Sequence, residues 1–179
     1  MAGRSIILQL VNKLFGFTPL TRWYCLRARL LRIAGVDCVR SARIVSSATI
    51  VSRNLSIGED TFIGHQAFIG GHAHFKITIG SNVDIAPRVV VISGSHEIDM
   101  LGAHSAGRGK GGEINIQDGV WIGANSTILP GVTIGRKAVI GAGSVVVSDI
   151  PAFTIAVGNP CRPIKRWDPK SRSLVNIGG

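Results

Sequence analysis

Residues 116–151 read IQDGVW IGANST ILPGVT IGRKAV IGAGSV VVSDIP, six hexapeptides end to end. An aliphatic residue recurs at every sixth position: Ile116, Ile122, Ile128, Ile134, Ile140 and Val146. Four residues after each comes a small or β-branched one, Val120, Ser126, Val132, Ala138 and Ser144, until the larger Ile150. Gly follows the aliphatic at 123, 135 and 141. An amphipathic helix needs apolar residues at a period near 3.6, and a half-buried strand a period of 2. A period of six fits neither. It fits a short strand and a tight corner, repeated, with each aliphatic stacked on its counterpart one coil away. Glycine at the corners is expected to supply the backbone freedom of the turns. The fold class that follows is an all-β solenoid.

Upstream the beat is looser. Ile44 and Ile50 are six apart, and Ile57 slips by one. Ile57, Ile63 and Ile69 keep register, each followed by Gly, and Phe75 continues the beat until Ile79 resets it. Ile79, Ile85 and Val91 lead to His96. Residues 97–113 have no beat; they are Gly-rich and polar (LGAHSAGRGKGG, 101–112) and are expected to leave the coil as a protruding loop. A long excursion from a regular scaffold is usually functional. Three regions result: an N-terminal helical cap at 1–43, the repeats at 44–160, and a basic C-terminal tail at 161–179.

In the first region, Ile6, Ile7, Leu10, Val11 and Leu14 mark the apolar face of a helix that Gly16 ends. Thr18 and Pro19 read as the N-cap and first turn of a second helix, which Gly35 closes. Arg22, Arg27, Arg29 and Arg32 give this second helix its charge. The expected purpose is to cover the open first coil. The alternative is peripheral contact with an anionic membrane.

The chain has 179 residues, with 45% hydrophobic and 17% charged, which is a globular composition. Cys25, Cys38 and Cys161 show no metal-ligand spacing and leave an odd thiol, so a metal site is not expected and a reducing, cytoplasmic compartment is. No apolar run reaches the roughly 18 residues of a membrane span, and the run at Ile6–Leu8 is too short for a signal peptide. The net charge of +10 is concentrated before and after the repeats, from Arg4 to Arg43 and from Arg162 to Arg172. No aromatic array is interleaved with these bases, so nucleic acid is not the expected partner. A phosphorylated cosubstrate or an anionic surface fits the clustering.

From Ile57 to Lys165 the chain resembles the hexapeptide-repeat acyltransferases, in the maltose and galactoside O-acetyltransferase branch. The stretches that carry the resemblance are IGSNVDIAPRVVVISGSH, VWIGANSTILPGVTIG, VIGAGSVVVSDIP and AVGNPCRPIK, in that order. The resemblance implies a left-handed parallel β-helix of triangular section, a homotrimer, and acetyl-CoA lying between adjacent subunits. It implies that His96 deprotonates the acceptor. Imidazole accepts protons near neutral pH, and an alcohol is a poor nucleophile without such a base. Glu97 and Asp99 are candidates to orient the ring.

The tetrahedral intermediate of acyl transfer needs a hydrogen-bond donor at its oxyanion. Some relatives carry a serine hydroxyl where this chain has Ala124, so a backbone N–H must serve here. The resemblance further implies that Ala124 and Ala142 line the CoA channel, that Ser148 contacts CoA, and that Trp121 lies beside the thioester. Arg162 and Lys165 match basic positions near the CoA phosphates, a solvated tail being the alternative. The sugar contacts of the galactoside enzymes fall on Gln66 and His74, which departs from the family's Asn and Asp and argues against the same sugar. His65, His72 and His104 are further candidates for the cleft. The reaction implied is acetyl transfer to a hydroxyl of a sugar or glycan intermediate. Transfer to an amine on a nucleotide sugar is an alternative, as is a non-catalytic trimeric scaffold. A zinc hydratase needs three converging histidines, and His96 stands alone in the corresponding region.

Overall fold

The structure is a computed structural model and describes residues 2–177. Each hexapeptide becomes a strand of two or three residues and a turn, and successive strands go to three different parallel sheets. Face one holds Asp37–Cys38, Leu55–Ile57, Ile77–Ile79, Ile114–Ile116 and Thr133–Ile134. Face two holds Arg43–Ile44, Phe62–Ile63, Asp84–Ile85, Trp121–Ile122, Val139–Ile140 and Thr154–Val157. Face three holds Thr49–Ile50, Phe68–Gly70, Val90–Ile92, Thr127–Ile128 and Val145–Val146. A strand pairs with the one three hexapeptides further on, as Trp121 with Val139 and Thr127 with Val145.

That register stacks like on like. Ile44, Ile63, Ile85, Ile122 and Ile140 form one buried ladder inside face two, and Ile57, Ile79, Ile116 and Ile134 another inside face one. Each buried aliphatic contributes roughly 1.5–3 kcal/mol. The small residues of the repeat are buried as well, and the hydroxyls of Ser126 and Ser144 are satisfied by donating to the Gly141 carbonyl at 3.0 and 2.7 Å.

The glycines after the aliphatics work differently from the expectation. The left-handed corners come three residues after the aliphatics, at Asp60, Gln66, Asn82, Arg88, Asn125 and Lys137, with φ between 48° and 60°, and at Gly119, Gly131 and Gly143, with φ between 68° and 83°. Gly58, Gly64, Gly123 and Gly135 face the next coil instead. A Cβ on Gly123 would stand 2.5 Å from the Ala142 nitrogen, and one on Gly135 2.4 Å from that of Ala152. They are glycine because coils touch backbone to backbone.

Two irregularities leave the coil between faces three and one. Phe75 does not continue the beat as a strand residue; it lies in the wider turn before Ile77, its ring 5.2 Å from that of His72. The expected loop is a β-hairpin, Gly94–Ile98 antiparallel to Ala106–Gly111. At its tip the Asp99 carboxylate accepts the N–H groups of Gly102 and Leu101 at 2.8 and 2.9 Å, which hold its pKa below the usual carboxylate range. At the far end, Arg162–Asp168 and Ser173–Asn176 continue face two as antiparallel strands, so most of the basic tail is ordered sheet. Residues 178 and 179 lie outside the described residues.

Helix α1 (Ala2–Phe15) ends as Gly16 predicts, with Leu8, Val11 and Phe15 buried against the first coil. The Arg4 side chain lies outside the described residues. Helix α2 (Tyr24–Ile33) opens later than the Thr18–Pro19 pair predicts. Those two residues serve Arg27 instead. Arg27 is fully buried, not part of the charged surface, and donates to the Thr18 hydroxyl (2.7 Å) and to the carbonyls of Pro19, Leu20 and Ile44. Burial pushes its pKa down, while these acceptors hold the charged guanidinium in place. Asn12 adds a second tie, accepting from the Ile50 N–H and donating to its carbonyl. Burial also raises the thiol pKa of Cys161, and that of Cys38 to about 11. No helix of the described residues is long and apolar enough to cross a membrane.

Arg27→Met should lower stability by roughly 2–4 kcal/mol, because it removes four hydrogen bonds from a charged donor, among them the buried one to the Ile44 carbonyl. Chemical denaturation measures this; an unchanged midpoint would mean that the guanidinium does not hold the helices to the first coil.

Candidate functional site

His96 stands midway along the first hairpin strand, exposed, opposite Gly109. Its Nδ1 lies 2.9 Å from the Gly107 carbonyl oxygen. A carbonyl only accepts, so Nδ1 carries a proton, and in the neutral ring the lone pair is on Nε2. Neither acidic neighbour orients the ring. Glu97 faces Arg108 at 3.5 Å, and Asp99 is occupied by the amides of the tip. The orienting group is a backbone oxygen of the opposite strand.

Residues paired across a hairpin share a side. A Cβ on Gly109, the partner of His96, would stand 4.0 Å from the His72 ring. The hairpin therefore brings His72 to the side that carries His96. His74 stands beside it, with ring centroids 5.0 Å apart and its N–H donating to His72 Nδ1 at 3.3 Å. Ser148 is exposed beyond the last strand of face three, on this same edge of the coil. His104 is exposed at the hairpin tip.

The other candidates lie elsewhere. Trp121 is 56% exposed on face two, between Asp84 and Val139. Ala124 and Ala142 stack on the edge between faces two and three, where Gly123 lets the two coils touch. Gln66 is on that edge too, one face away from His74; Arg88 donates to its Oε1 at 3.1 Å. His65 is close by, bonded to Ser47 at 2.6 Å. Arg162 and Lys165, three apart, would point to opposite sides of a regular strand. An irregularity between them pairs Arg162 with Val157 and Lys165 with Ile155, so both project from the outer side of face two.

Two sets of these candidates stand apart, with Ala124, Ala142, Gln66 and His65 on the edge between faces two and three. His96, His72, His74 and Ser148 share the edge between faces three and one; Trp121, Arg162 and Lys165 occupy face two, which lies opposite that edge. One chain does not bring them together. Among the described residues no three His, Cys, Asp or Glu side chains converge as a metal site would need. The sequence alone leaves His72 undecided and does not show the Gly107 carbonyl. A signal was present: Gly107, Gly109 and Gly111 alternate with Arg108 and Lys110, the period of a strand.

Family models support the repeat. One described as bacterial transferase hexapeptide (six repeats) matches residues 113–148, and one described as hexapeptide repeat of succinyl-transferase matches 54–91. The galactoside O-acetyltransferase of Escherichia coli (strain K12) is 43% identical over 103 residues, 55% of this chain and 48% of that protein. The chain spans about half the length, or less, of the curated relatives it matches. Solved structures match over more. A maltose O-acetyltransferase from Clostridium difficile 630 is 35% identical, with a TM-score of 0.76 over 92% of this chain and 87% of the other. A hexapeptide-repeat-containing acetyltransferase of Vibrio cholerae O1 biovar eltor, complexed with acetyl coenzyme A, is 26% identical, with a TM-score of 0.74 over 93% and 88%. A strict hexapeptide beat, three parallel faces and likeness along nearly the whole length have one common explanation: the chain belongs to the hexapeptide-repeat acetyltransferases, in the branch of the maltose and galactoside O-acetyltransferases.

Proposed function

We propose that the chain is an acetyl-CoA-dependent O-acetyltransferase acting on a sugar or glycan intermediate, with His96 as general base. The observation that carries this reading is the Nδ1 contact to Gly107, which leaves an exposed Nε2 able to accept a proton. In this reading Nε2 takes the proton of the acceptor hydroxyl as its oxygen attacks the thioester carbonyl. The Ala124 N–H, which has no acceptor among the described residues, donates to the oxyanion. As the C–S bond breaks, the imidazolium returns the proton to the departing sulfur. His72 and His74 flank the acceptor side of this base.

The working unit in this proposal is a homotrimer of left-handed coils, with the His96 edge of one protomer against face two of the next. The separation of the two sets of candidates within one chain supports it. Trp121 then flanks the thioester, Ala124 and Ala142 form a flat wall for the pantetheine arm, and Ser148 adds a contact. Arg162 and Lys165 meet the CoA phosphates. Gln66, held by Arg88, reaches the acceptor of a neighbouring protomer. Three free thiols, two of them buried, support a reducing compartment such as the cytoplasm.

His96→Ala should cut acetyl transfer by roughly 10²–10⁴-fold with little change in CoA affinity. Thiol release from acetyl-CoA, screened over hydroxyl and amino sugars, measures it. Near-normal turnover of the variant on the true acceptor would remove His96 from the mechanism, and a strict preference for amines would move the reading to N-acetylation.

Light scattering should return the mass of a trimer. A monomer that stays fully active on dilution would end the inter-subunit reading.

Arg162→Ala with Lys165→Ala should raise KM for acetyl-CoA far more than for dephospho-acetyl-CoA, leaving kcat nearly unchanged, because uniform binding is what is lost. Added salt should mimic the double variant for acetyl-CoA. If both cosubstrates suffer equally, the two bases act on folding or assembly.

A further inference from the structure

Helix α1 is apolar on two sides. Leu8, Val11 and Phe15 are buried, whereas Ile6, Leu10 and Leu14, spaced one turn apart, face solvent at 54%, 53% and 49% exposure. The stripe leads into Phe17, Leu20 and Trp23, all exposed. Trp23 holds a left-handed backbone (φ 60°), which is costly for a bulky residue, and its exposed ring recovers little of that through packing. So many exposed apolar side chains at one end of the molecule mark a surface that meets something.

Beside it, α2 and the first coil enclose a groove of about 750 Å³ lined by Cys25, Leu26, Arg29, Arg32, Ile33 and Arg40. Its three arginines are exposed and have no carboxylate partner among the described residues, whose ion pairs are those of Arg43 and Arg108. Arginines lining an apolar-rimmed groove suit phosphate groups set above hydrocarbon.

We infer that this end of the molecule docks on an anionic phospholipid bilayer. The α1 stripe, Phe17 and Trp23 enter the interfacial layer, and Arg29, Arg32 and Arg40 receive lipid phosphates. Charge selects this occupant over a second copy of the chain, because an isologous pairing would set the same uncompensated arginines against each other. The inference is independent of the acyl-transfer reading.

Co-sedimentation of the full chain with vesicles tests it. Vesicles of phosphatidylcholine with phosphatidylglycerol should pellet the protein at low salt; phosphatidylcholine alone should not, and high salt should release it. Arg29→Ala/Arg32→Ala/Arg40→Ala should weaken partitioning on the order of 100-fold, each basic residue near an anionic surface being worth about fivefold. Leu10→Ser/Leu14→Ser should also lose binding, and Trp23→Phe should abolish a vesicle-induced blue shift in tryptophan emission. All these positions are exposed, so unchanged thermal melts verify the fold. Wild-type protein that stays in the supernatant with anionic vesicles at low salt overturns the inference. So does a Leu10→Ser/Leu14→Ser variant that binds vesicles normally but falls to a smaller oligomer, which would give the stripe to a second copy.

Discussion

Backbone contact between successive coils is the constraint on which the rest of the structure depends. A coil can lie against the next only where no side chain intervenes, and Gly58, Gly64, Gly123 and Gly135 meet that need. Once the coils touch, every inward aliphatic falls on its equivalent above and below, and the core becomes a column of stacked isoleucines. The same contact brings Ala124 and Ala142 together into a wall made mostly of main chain. Scaffold and candidate binding surface arise from one packing rule.

The sequence carried the repeat plainly because the constraint is strictly periodic. All six aliphatics from Ile116 to Val146 are buried. What departs from the period was harder to read. The Thr18–Pro19 pair has the chemistry of a helix start, yet tertiary demand from Arg27 took both residues as acceptors. Arg27 looked like surface charge because a lone sequence does not show four acceptors converging on one side chain. The hairpin at 94–111 was hidden by its glycines, which lower strand propensity although their alternation preserves strand geometry.

His96 was legible as a candidate base, but its environment was not. Sequence reasoning looks for an orienting carboxylate nearby in the chain; the structure supplies a carbonyl from the opposite strand, eleven residues on. A neutral partner fixes the tautomer without adding a negative charge beside the ring. Only topology reveals that Trp121, Arg162 and Lys165 lie on the face opposite this histidine, because hexapeptides adjacent in sequence go to different faces.

The antiparallel strands at 162–176 have a consequence for the molecule as an object. A parallel stack ends in a row of unpaired amides and carbonyls that can template another coil, and a repetitive chain would grow end to end into fibres. At one end the two helices lie against the first coil. At the other the chain reverses twice on face two: Arg162–Asp168, which carries Arg162, Lys165 and Arg166, runs against the direction of the stack, and Ser173–Asn176 turns back along it as the outermost described strand. The edge left at this end is therefore a short strand set beside a row of like charge, a combination that disfavours pairing with the edge of another copy.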